Sequence, residues 1–437
     1  MDRTSSGPRT LALLPWGNVF EDFLDSASLG WQDFFERFTG SFLFGYIEAL
    51  RAADVHVVMY CVSRRRTPAV IRHRPSATMV RLLPVPATFR LAQRAMRRPY
   101  AANARDVFSS RLDRVPPVLL SAARESAFYR ATPLVAVARA LRRDRCDALL
   151  CQEYEHPRFD VCVLLGKLLG IPTFATFQGG AEHVGAAEDR IRPITLRACN
   201  GVVIASAAEA RRVHERYGVA PAKIGRIPNP VDSRWWRPDD QTQARESLGI
   251  DPEALVVMWH GRIEMWTKGL DVLLDAWVEI ERRLLDRSLR LLLVGGGREA
   301  MKLRIAIAKR RLTTVVSSGE FVHERELIRR ALSAADVYVF PSRHEGFPVA
   351  PLEAMACGLP IVATDVPSLR EIVRPDSGLI VPREDPSLLA DAITRLLANE
   401  DLRRRLGAAA RLCVEEEFSS AAVGSRLRSF FFDREVA

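Results

Sequence analysis

This sequence of 437 residues lacks the long apolar runs of membrane-spanning and secreted proteins and the paired cysteines of zinc sites. Its apolar runs, such as Leu291 to Val294, stop well short of the roughly 18 residues that a membrane span needs. The run Leu11 to Trp16 is also too short for a secretory signal. The seven cysteines form no C-x-x-C pair and lie mostly in apolar segments, which is typical of core thiols in a reducing compartment. We therefore expect a cytoplasmic protein without structural zinc.

Acidic residues are scarce in one part of the chain. Residues 51–100 contain eleven arginines and a single acid, Asp54, and the whole chain has a formal net charge of +10. Such a segment could bind anionic lipid headgroups, so peripheral association with the inner membrane surface through basic residues 64–98 stays open. A solvated face is the plainer interpretation, because the chain has 58 arginines and five lysines. No nucleic-acid-binding motif accompanies the charge, so no nucleic acid partner is expected.

Short apolar strands alternate with helices in two series. The first series predicts strands over 148–153, 172–177, 201–205 and 224–227, with helices over 159–169 and 207–217. The second predicts strands over 254–259, 289–294, 336–340 and 360–363, with helices over 269–285, 299–310, 352–357 and 388–398. Alternation of this kind indicates parallel sheets with helices on both faces.

The length of the chain requires more than one domain, since single cores stop growing at about 250 to 300 residues. Between the two series stands Pro228-Asn229-Pro230, which we interpret as a hinge. We predict an α/β protein with two Rossmann-like, doubly wound domains, residues 1–230 and 231–415, facing each other across a cleft. A final helix within residues 416–437 is expected to pack back on the N-terminal domain. Ligands of such sheets bind outside the carboxyl ends of the strands.

Two cations follow the first strand of the second domain. Arg262 and Lys268 stand six residues apart in a strand-to-helix loop, where they and the free helix amides could bind a diphosphate. The next strand runs into Gly295 and two further glycines. These glycines would let backbone approach a ligand, although such turns are also common packing devices.

The segment over 341–358 is the most informative one. Glu345 and Glu353 are eight residues apart and bracket the predicted start of a helix, with Pro348 or Pro351 in an early turn. Amides at a helix start can hold a phosphate, and a carboxylate on either side can accept hydrogen bonds from hydroxyl groups. A phosphate flanked by a sugar and a ribose describes a nucleotide sugar.

These motifs resemble those of the retaining glycosyltransferases of family 4 (glycosyl transferases group 1), which have the GT-B fold. The resemblance rests on the E-x7-E pair, on Gly261-Arg262 with Lys268-Gly269, and on the phrase Ile227-Pro228-Asn229-Pro230-Val231-Asp232. It is specific over residues 225–415 and general before that. It implies an N-terminal acceptor-binding domain and a C-terminal domain that binds the nucleotide sugar.

The resemblance also implies roles for individual residues. Arg262 and Lys268 would hold the donor diphosphate, Glu345 would contact the transferred sugar and Glu353 the ribose. Catalytic roles would fall to Arg262, Lys268 and Glu345. The full implied donor site comprises Gly261, Arg262, Lys268, Gly295, Glu345, Gly346, Phe347, Val349 and Glu353.

The first domain departs from the family pattern. Where relatives often carry a histidine, this chain has Gln178, so Gln178 or the nearby His183 would have to contact the sugar. Gly17 and Asn18, in the loop after the first strand, are further candidates for acceptor or sugar contacts. The aromatic residues over 23–46 would form either an acceptor wall or, more commonly, part of the core.

The activity implied by the resemblance is that of a retaining hexosyltransferase. A UDP-sugar is the favoured donor and GDP-mannose the second, while the acceptor hydroxyl, on a glycolipid, a polysaccharide or a small metabolite, stays open. No D-x-D run marks a metal site, so we expect no metal and no other cofactor. The alternatives are a nucleotide-sugar epimerase of the same fold and a non-catalytic nucleotide-binding member. A phosphorylase would need a lysine for pyridoxal phosphate, which five lysines disfavour.

Overall fold

The chain folds into two compact units, each with its own sheet. The structure, a computed structural model, describes residues 8–27, 29–96, 104–108, 115–177, 185–322 and 324–433. The first unit comprises Met1–Phe38, Leu50–Ile227 and Gly424–Ala437, and the second comprises Thr39–Ala49 and Pro228–Val423. The second unit therefore takes up the chain again at the Pro-Asn-Pro segment.

The sheet of the first unit is parallel except at one edge. Its strands lie in the order β3-β4-β2-β1-β5-β6-β7-β8, and β3 pairs with β4 in the antiparallel direction. Central strands such as β5 are buried along their whole length, as continuous apolar runs predict for a sheet covered on both faces. The strands are β1 Arg9–Leu14, β2 Val55–Ser63, β3 Ala69–Arg72, β4 Met79–Pro84, β5 Ala148–Cys151, β6 Thr173–Phe177, β7 Gly201–Ile204 and β8 Ile224–Gly225.

Helices connect these strands. The helix before β6 has Pro157 in its first turn and ends at Gly170, whose φ of +68° is left-handed and closes the last turn. The helices are α1 Phe20–Ser26, α2 Trp31–Glu36, α3 Ser41–Ala52, α4 Ala87–Ala95, α5 Ala104–Val107, α6 Pro117–Tyr129, α7 Leu134–Arg143, α8 Pro157–Leu169, α9 Ala186–Ala198 and α10 Ala207–Tyr217. A short 3₁₀ turn, Pro221–Lys223, precedes β8.

The sheet of the second unit is parallel throughout its described strands. The strand order is β11-β10-β9-β12-β13-β14, which places β9 and β12 side by side at its centre. The carboxyl ends of β9 and β12 therefore meet at one edge of the sheet. The strands are β9 Leu255–His260, β10 Leu289–Val294, β11 Val315–Ser317, β12 Val337–Phe340, β13 Ile361–Thr364 and β14 Gly378–Val381.

Helices of the second unit pack against this sheet and against one another. They are α11 Gln241–Ser247, α12 Leu270–Arg283, α13 Ala300–Lys309, α14 Arg325–Ala334, α15 Ala350–Ala356, α16 Pro367–Arg370, α17 Pro386–Leu397, α18 Glu400–Cys413 and α19 Ser420–Arg428, whose last residues belong to the first unit. π-helical turns follow α18 and α19, at Val414–Phe418 and Ser429–Asp433. The two parallel-sheet units confirm the predicted fold class.

The last described residues pack on the first unit. Phe430 and Phe431 are buried, and both rings lie against Phe174 on β6 with centroids 5.7 and 4.8 Å away. A Cβ atom added at Gly201 or at Gly225 would come within 2.7 Å of the Phe430 ring. The two glycines therefore make room for this aromatic side chain on the sheet.

Candidate donor-binding site

The loop between β9 and α12 is fixed against the segment that follows β12. Gly269 has a φ of +62°, and a Cβ atom there would lie 1.9 Å from the carbonyl oxygen of Pro341. The Arg343 amide donates a 2.9 Å hydrogen bond to the Thr267 carbonyl. The Arg343 guanidinium also binds both carboxylate oxygens of Asp271, at 2.7 and 2.8 Å. These contacts hold the two motif-bearing segments side by side.

Lys268 and Glu345 meet at this junction. Lys268 Nζ donates a 2.8 Å hydrogen bond to Glu345 Oε1, and Ser342 Oγ donates to the same oxygen at 2.7 Å. The two charged side chains are only 16% and 8% exposed. A largely buried ammonium group can donate to a phosphate, while the carboxylate beside it can accept from a sugar hydroxyl. The structure thus brings together two of the residues that the motif predicted.

Glu353 contacts His260, a residue to which the sequence alone assigns no role. His260 Nε2, at the end of β9, donates to Glu353 Oε2 on α15 over 2.9 Å. The imidazole is almost fully buried and packs edge-on against the Tyr338 ring, 5.4 Å away. Its Nδ1 has no hydrogen-bond partner among the described residues. His260 fixes one oxygen of Glu353, whose side chain is 21% exposed. In the sequence, the feature that points to His260 is its position directly before Gly261 and Arg262.

Arg262 takes part in neither of these two pairs. Its guanidinium Nε forms a 3.0 Å ion pair with Glu264 Oε1, and the two side chains are 66% and 36% exposed. An exposed ion pair of this kind contributes little to stability. Arg262 is therefore available to an anionic ligand at little energetic cost.

The predicted backbone contacts lie between β12 and α15. Gly346 and Phe347 belong to the loop, Val349 is the residue before the helix, and α15 begins at Ala350. The ring of Phe347 is buried, and its carbonyl accepts a 3.0 Å hydrogen bond from the Asn229 side chain. This contact orders the loop with a residue of the Pro-Asn-Pro segment.

Two family models match the chain. The one described as "Glycosyl transferases group 1" matches residues 240–412, and the one described as "Glycosyltransferase Family 4" matches residues 40–235. The chain belongs to the family 4 glycosyltransferases. The resemblance carried by the E-x7-E pair and its neighbouring cations is thereby confirmed.

Two curated relatives of this family 4 glycosyltransferase are D-inositol 3-phosphate glycosyltransferases. The D-inositol 3-phosphate glycosyltransferase of Nocardia farcinica is 35% identical over 246 residues, which are 55% of this chain and 54% of the relative. The protein of the same name from Rhodococcus erythropolis is 34% identical over 215 residues, 48% of this chain and 46% of the relative. The chain thus spans about half the length of these curated relatives.

Solved structures share the fold over nearly the whole chain. Sucrose-phosphate synthase from Thermosynechococcus elongatus has a TM-score of 0.68 and 22% identity, covering 97% of this chain and 98% of that protein. Anabaena HepE in complex with UDP has a TM-score of 0.68 and 15% identity, covering 98% and 100%. At these identities the likeness establishes the fold, and it confirms GT-B for this family 4 glycosyltransferase.

In this family 4 glycosyltransferase, close backbone packing explains why Gly295 and Gly296 have no side chain. A Cβ atom at Gly295 would lie 1.9 Å from the Gly261 carbonyl oxygen, and one at Gly296 would lie 2.3 Å from the Phe321 amide nitrogen. The amide of Gly295 donates to Ser318 Oγ, and its carbonyl accepts from the same hydroxyl. The role of Gly295 and Gly261 in donor binding stays a prediction.

The acceptor candidates are described only in part. Gly17 and Asn18 follow β1; Gly17 has a φ of +88°, and the carbonyl of buried Asn18 accepts a 2.7 Å hydrogen bond from Arg158. Gln178 and His183 lie outside the described residues. Phenylalanines of the aromatic segment that are buried, and so belong to the core, are Phe34, Phe35, Phe38 and Phe44.

Two further features are absent from the described residues. These residues contain no group of three His, Cys, Asp or Glu side chains that could hold a metal ion. Within the same ranges, no helix combines the length and the apolar character needed to cross a membrane.

Proposed function

We propose that the protein is a metal-independent, retaining glycosyltransferase that transfers a hexosyl group from a nucleoside-diphosphate sugar to an acceptor hydroxyl. The observation that carries this proposal is the 2.8 Å pair between Lys268 and Glu345, held at the carboxyl edge of the second sheet. The donor we favour is a UDP-sugar, since HepE, which shares the fold, was solved with UDP and with UDP-glucose.

The cations would stabilise the leaving group. As the bond from the anomeric carbon to the phosphate oxygen breaks, negative charge grows on the diphosphate. Lys268 can turn from Glu345 toward this charge, because Ser342 continues to donate to the freed Glu345 oxygen. Arg262, exposed on the same loop, would supply the second positive charge. The acceptor oxygen then bonds to the anomeric carbon, and its proton passes to a phosphate oxygen of the donor.

The two carboxylates would select the donor. Glu345 would accept hydrogen bonds from hydroxyls of the transferred sugar, and Glu353, held by His260, would accept them from the ribose. Because acceptance by a carboxylate requires hydroxyl donors, a deoxygenated sugar or ribose would leave a desolvated charge without its partner. The site would therefore favour ribonucleotide donors.

The acceptor class is supported only by the names of relatives. They are called D-inositol 3-phosphate glycosyltransferases, which supports a small polyhydroxylated metabolite as the first acceptor to try. A glycolipid and a polysaccharide follow.

A nucleotide-release assay tests the proposal. Purified protein is incubated with UDP-, GDP-, ADP- and dTDP-sugars, with EDTA present, and the released nucleoside diphosphate is measured with and without acceptors. We expect release from one donor class, and a fall of about 100-fold or more in Lys268→Met. Lys302→Met is the matched control, since Lys302 is 70% exposed and pairs with Glu299 on the surface.

Three outcomes would contradict the proposal. Conversion of the sugar without any acceptor would indicate an epimerase. Nucleotide binding without release, whatever the acceptor, would indicate a non-catalytic member. Full activity of Lys268→Met would remove the site from the reaction.

A further inference from the structure

One helical face of the first unit exposes large apolar side chains. α8 packs against α7, α9 and α6, and α6 also contacts α9. The helices α7, α8 and α9 lead into the parallel strands β5, β6 and β7, so they run in the same direction. The exposed apolar residues of this face, each between 36% and 74% exposed, are Leu134, Val135, Leu164, Leu168, Ile191 and Ile194.

These residues are set apart from the buried stripe of each helix. On α8, Phe159, Cys162 and Val163 point into the core, while Leu164 and Leu168 form an outward pair four residues apart. Single exposed apolar residues are normal on soluble proteins, whereas a group on adjoining helices marks an interaction surface. The face is therefore suited to a partner with an apolar region into which leucine and isoleucine side chains can insert.

Nearly all exposed charges on these three helices are positive. Their exposed basic residues are Arg139, Arg142, Arg143, Lys167, Arg190 and Arg197. Asp189 is the one exposed acid on the described side chains of these three helices, and Arg216 lies 3.7 Å from it. The other acids, Asp160 and Glu188, are buried. Apolar and basic side chains thus share a surface on which negative charge is almost absent.

We propose that this face, α7 to α9, docks on an anionic phospholipid bilayer. Leucine and isoleucine side chains would enter the boundary between headgroups and acyl chains, and the six basic side chains would contact lipid phosphates. A second copy of the chain fits less well, because it would bring two sets of six like charges together. The proposal rests on residues other than the basic segment 64–98, in which Arg64 pairs with Asp22 and with Asp25, and Arg81 pairs with Asp144, the residue that follows α7. The proposal does not depend on the proposed function.

Flotation with lipid vesicles tests the docking face. The full chain is mixed with vesicles of phosphatidylcholine alone, or of phosphatidylcholine and phosphatidylglycerol in equal parts. We expect binding to the anionic vesicles that weakens as salt rises. Each basic residue near the surface contributes about fivefold, so Lys167→Gln, Arg190→Gln and Arg197→Gln combined should weaken binding about 100-fold. Leu164→Gln with Leu168→Gln should weaken it about tenfold or more.

Matched variants separate this face from other surfaces. Leu285 and Met301 of the second unit are 80% and 63% exposed, and Leu285→Gln with Met301→Gln should bind as the unchanged protein does. Far-ultraviolet circular dichroism and thermal unfolding check that each variant is folded. The proposal is overturned by absence of vesicle binding, by equal binding to neutral and anionic vesicles, or by binding that is lost only when Arg64, Arg65 and Arg66 are changed to glutamine.

Discussion

At the scale of single residues, the contact between His260 and Glu353 could not be predicted from the sequence. The two residues are 93 positions apart, and only the pairing of β9 with β12 brings them within 2.9 Å. By contrast, the spacing of Lys268, Glu345 and Glu353 forms a family motif, so the sequence indicates them as candidate donor-site residues. The exposure of Arg262 depends on the path of its loop, which residue types alone do not determine.

A substitution of His260 tests whether it positions Glu353. His260→Phe removes the hydrogen bond and leaves Glu353 free to turn. We expect UDP to bind about tenfold more weakly, since a hydrogen bond to a charged group contributes that much. Binding of 2′-deoxyuridine diphosphate should change less, because it lacks one of the hydroxyls that Glu353 would accept from. Calorimetric titration measures both.

The conservative change supplies the control for this test. His260→Gln keeps an N–H donor and should retain most of the preference for ribose. If each variant lost as much affinity for the 2′-deoxy form as for UDP, His260 would have only a structural role and would not position Glu353 for the ribose.

A buried carboxylate in the first unit should make stability depend on pH. Burial raises the pKa of Glu155 to about 7 from 4.5, against the opposing effect of Arg212, which lies 3.1 Å away. The folded protein then holds a proton that the unfolded chain has lost, so the unfolding free energy falls as pH rises from 4.5 to 7. The fall amounts to about 3 kcal/mol at most.

Denaturant unfolding at several pH values measures this effect. In Glu155→Gln the fall should shrink, whereas Glu215→Gln, an exposed position on α10, should follow the unchanged protein. An equal or steeper fall in Glu155→Gln would contradict the account.

At the scale of elements, the best predictions rest on strong local signals. The helix α10 and the strand β10 begin and end where the sequence predicted, because Gly218 ends the one and the apolar run Leu289–Val294 forms the other. The helix α18 was missed. It buries small residues such as Gly407 and Ala410, and a Cβ atom at Gly407 would lie 2.1 Å from the Gly358 carbonyl oxygen. Close packing through small residues leaves a weak apolar stripe in the sequence.

The junction that presents Lys268 should depend on one glycine. In Gly269→Ala the new methyl group meets the Pro341 carbonyl oxygen at 1.9 Å, in addition to the strain of a left-handed alanine. We expect a loss of about 3 kcal/mol or more in unfolding free energy, and loss of the thermal stabilisation that a donor provides.

Gly249 provides the matched control. Its φ of +64° is nearly the same, and nothing lies within 4 Å of a Cβ atom there. Gly249→Ala should therefore cost only about 1 kcal/mol and leave donor binding intact. Equal costs at the two positions would show that the contact with Pro341 does not constrain the loop.

At the scale of the whole molecule, two sheets and two cores were predictable from length and from the alternation of strands and helices. The edge strands β3 and β14 were not predicted, because each has only four residues and is only partly buried. The division of the chain is also less simple than a single cut. Residues 39–49 belong with the second unit, and residues 424–437 with the first.

The last residues of the chain should stabilise the first unit. Phe430 is buried against β6 and beside two glycines, so Phe430→Ala leaves a cavity and should cost about 3 to 5 kcal/mol. Phe432→Ala, at a half-buried position, is the control and should cost less. Denaturant unfolding compares them, and equal stability of the two variants would contradict this assignment.

The central claim is that the second unit binds a nucleoside diphosphate through Lys268 and Glu345. Calorimetric titration of UDP, GDP, ADP and dTDP in the presence of EDTA tests it most directly, with the unchanged protein, Lys268→Met and Lys302→Met. The account predicts that one nucleotide binds the unchanged protein and Lys302→Met alike, and Lys268→Met at least about tenfold more weakly. If none of the four binds, or if Lys268→Met binds as tightly as the unchanged protein, the claim is wrong.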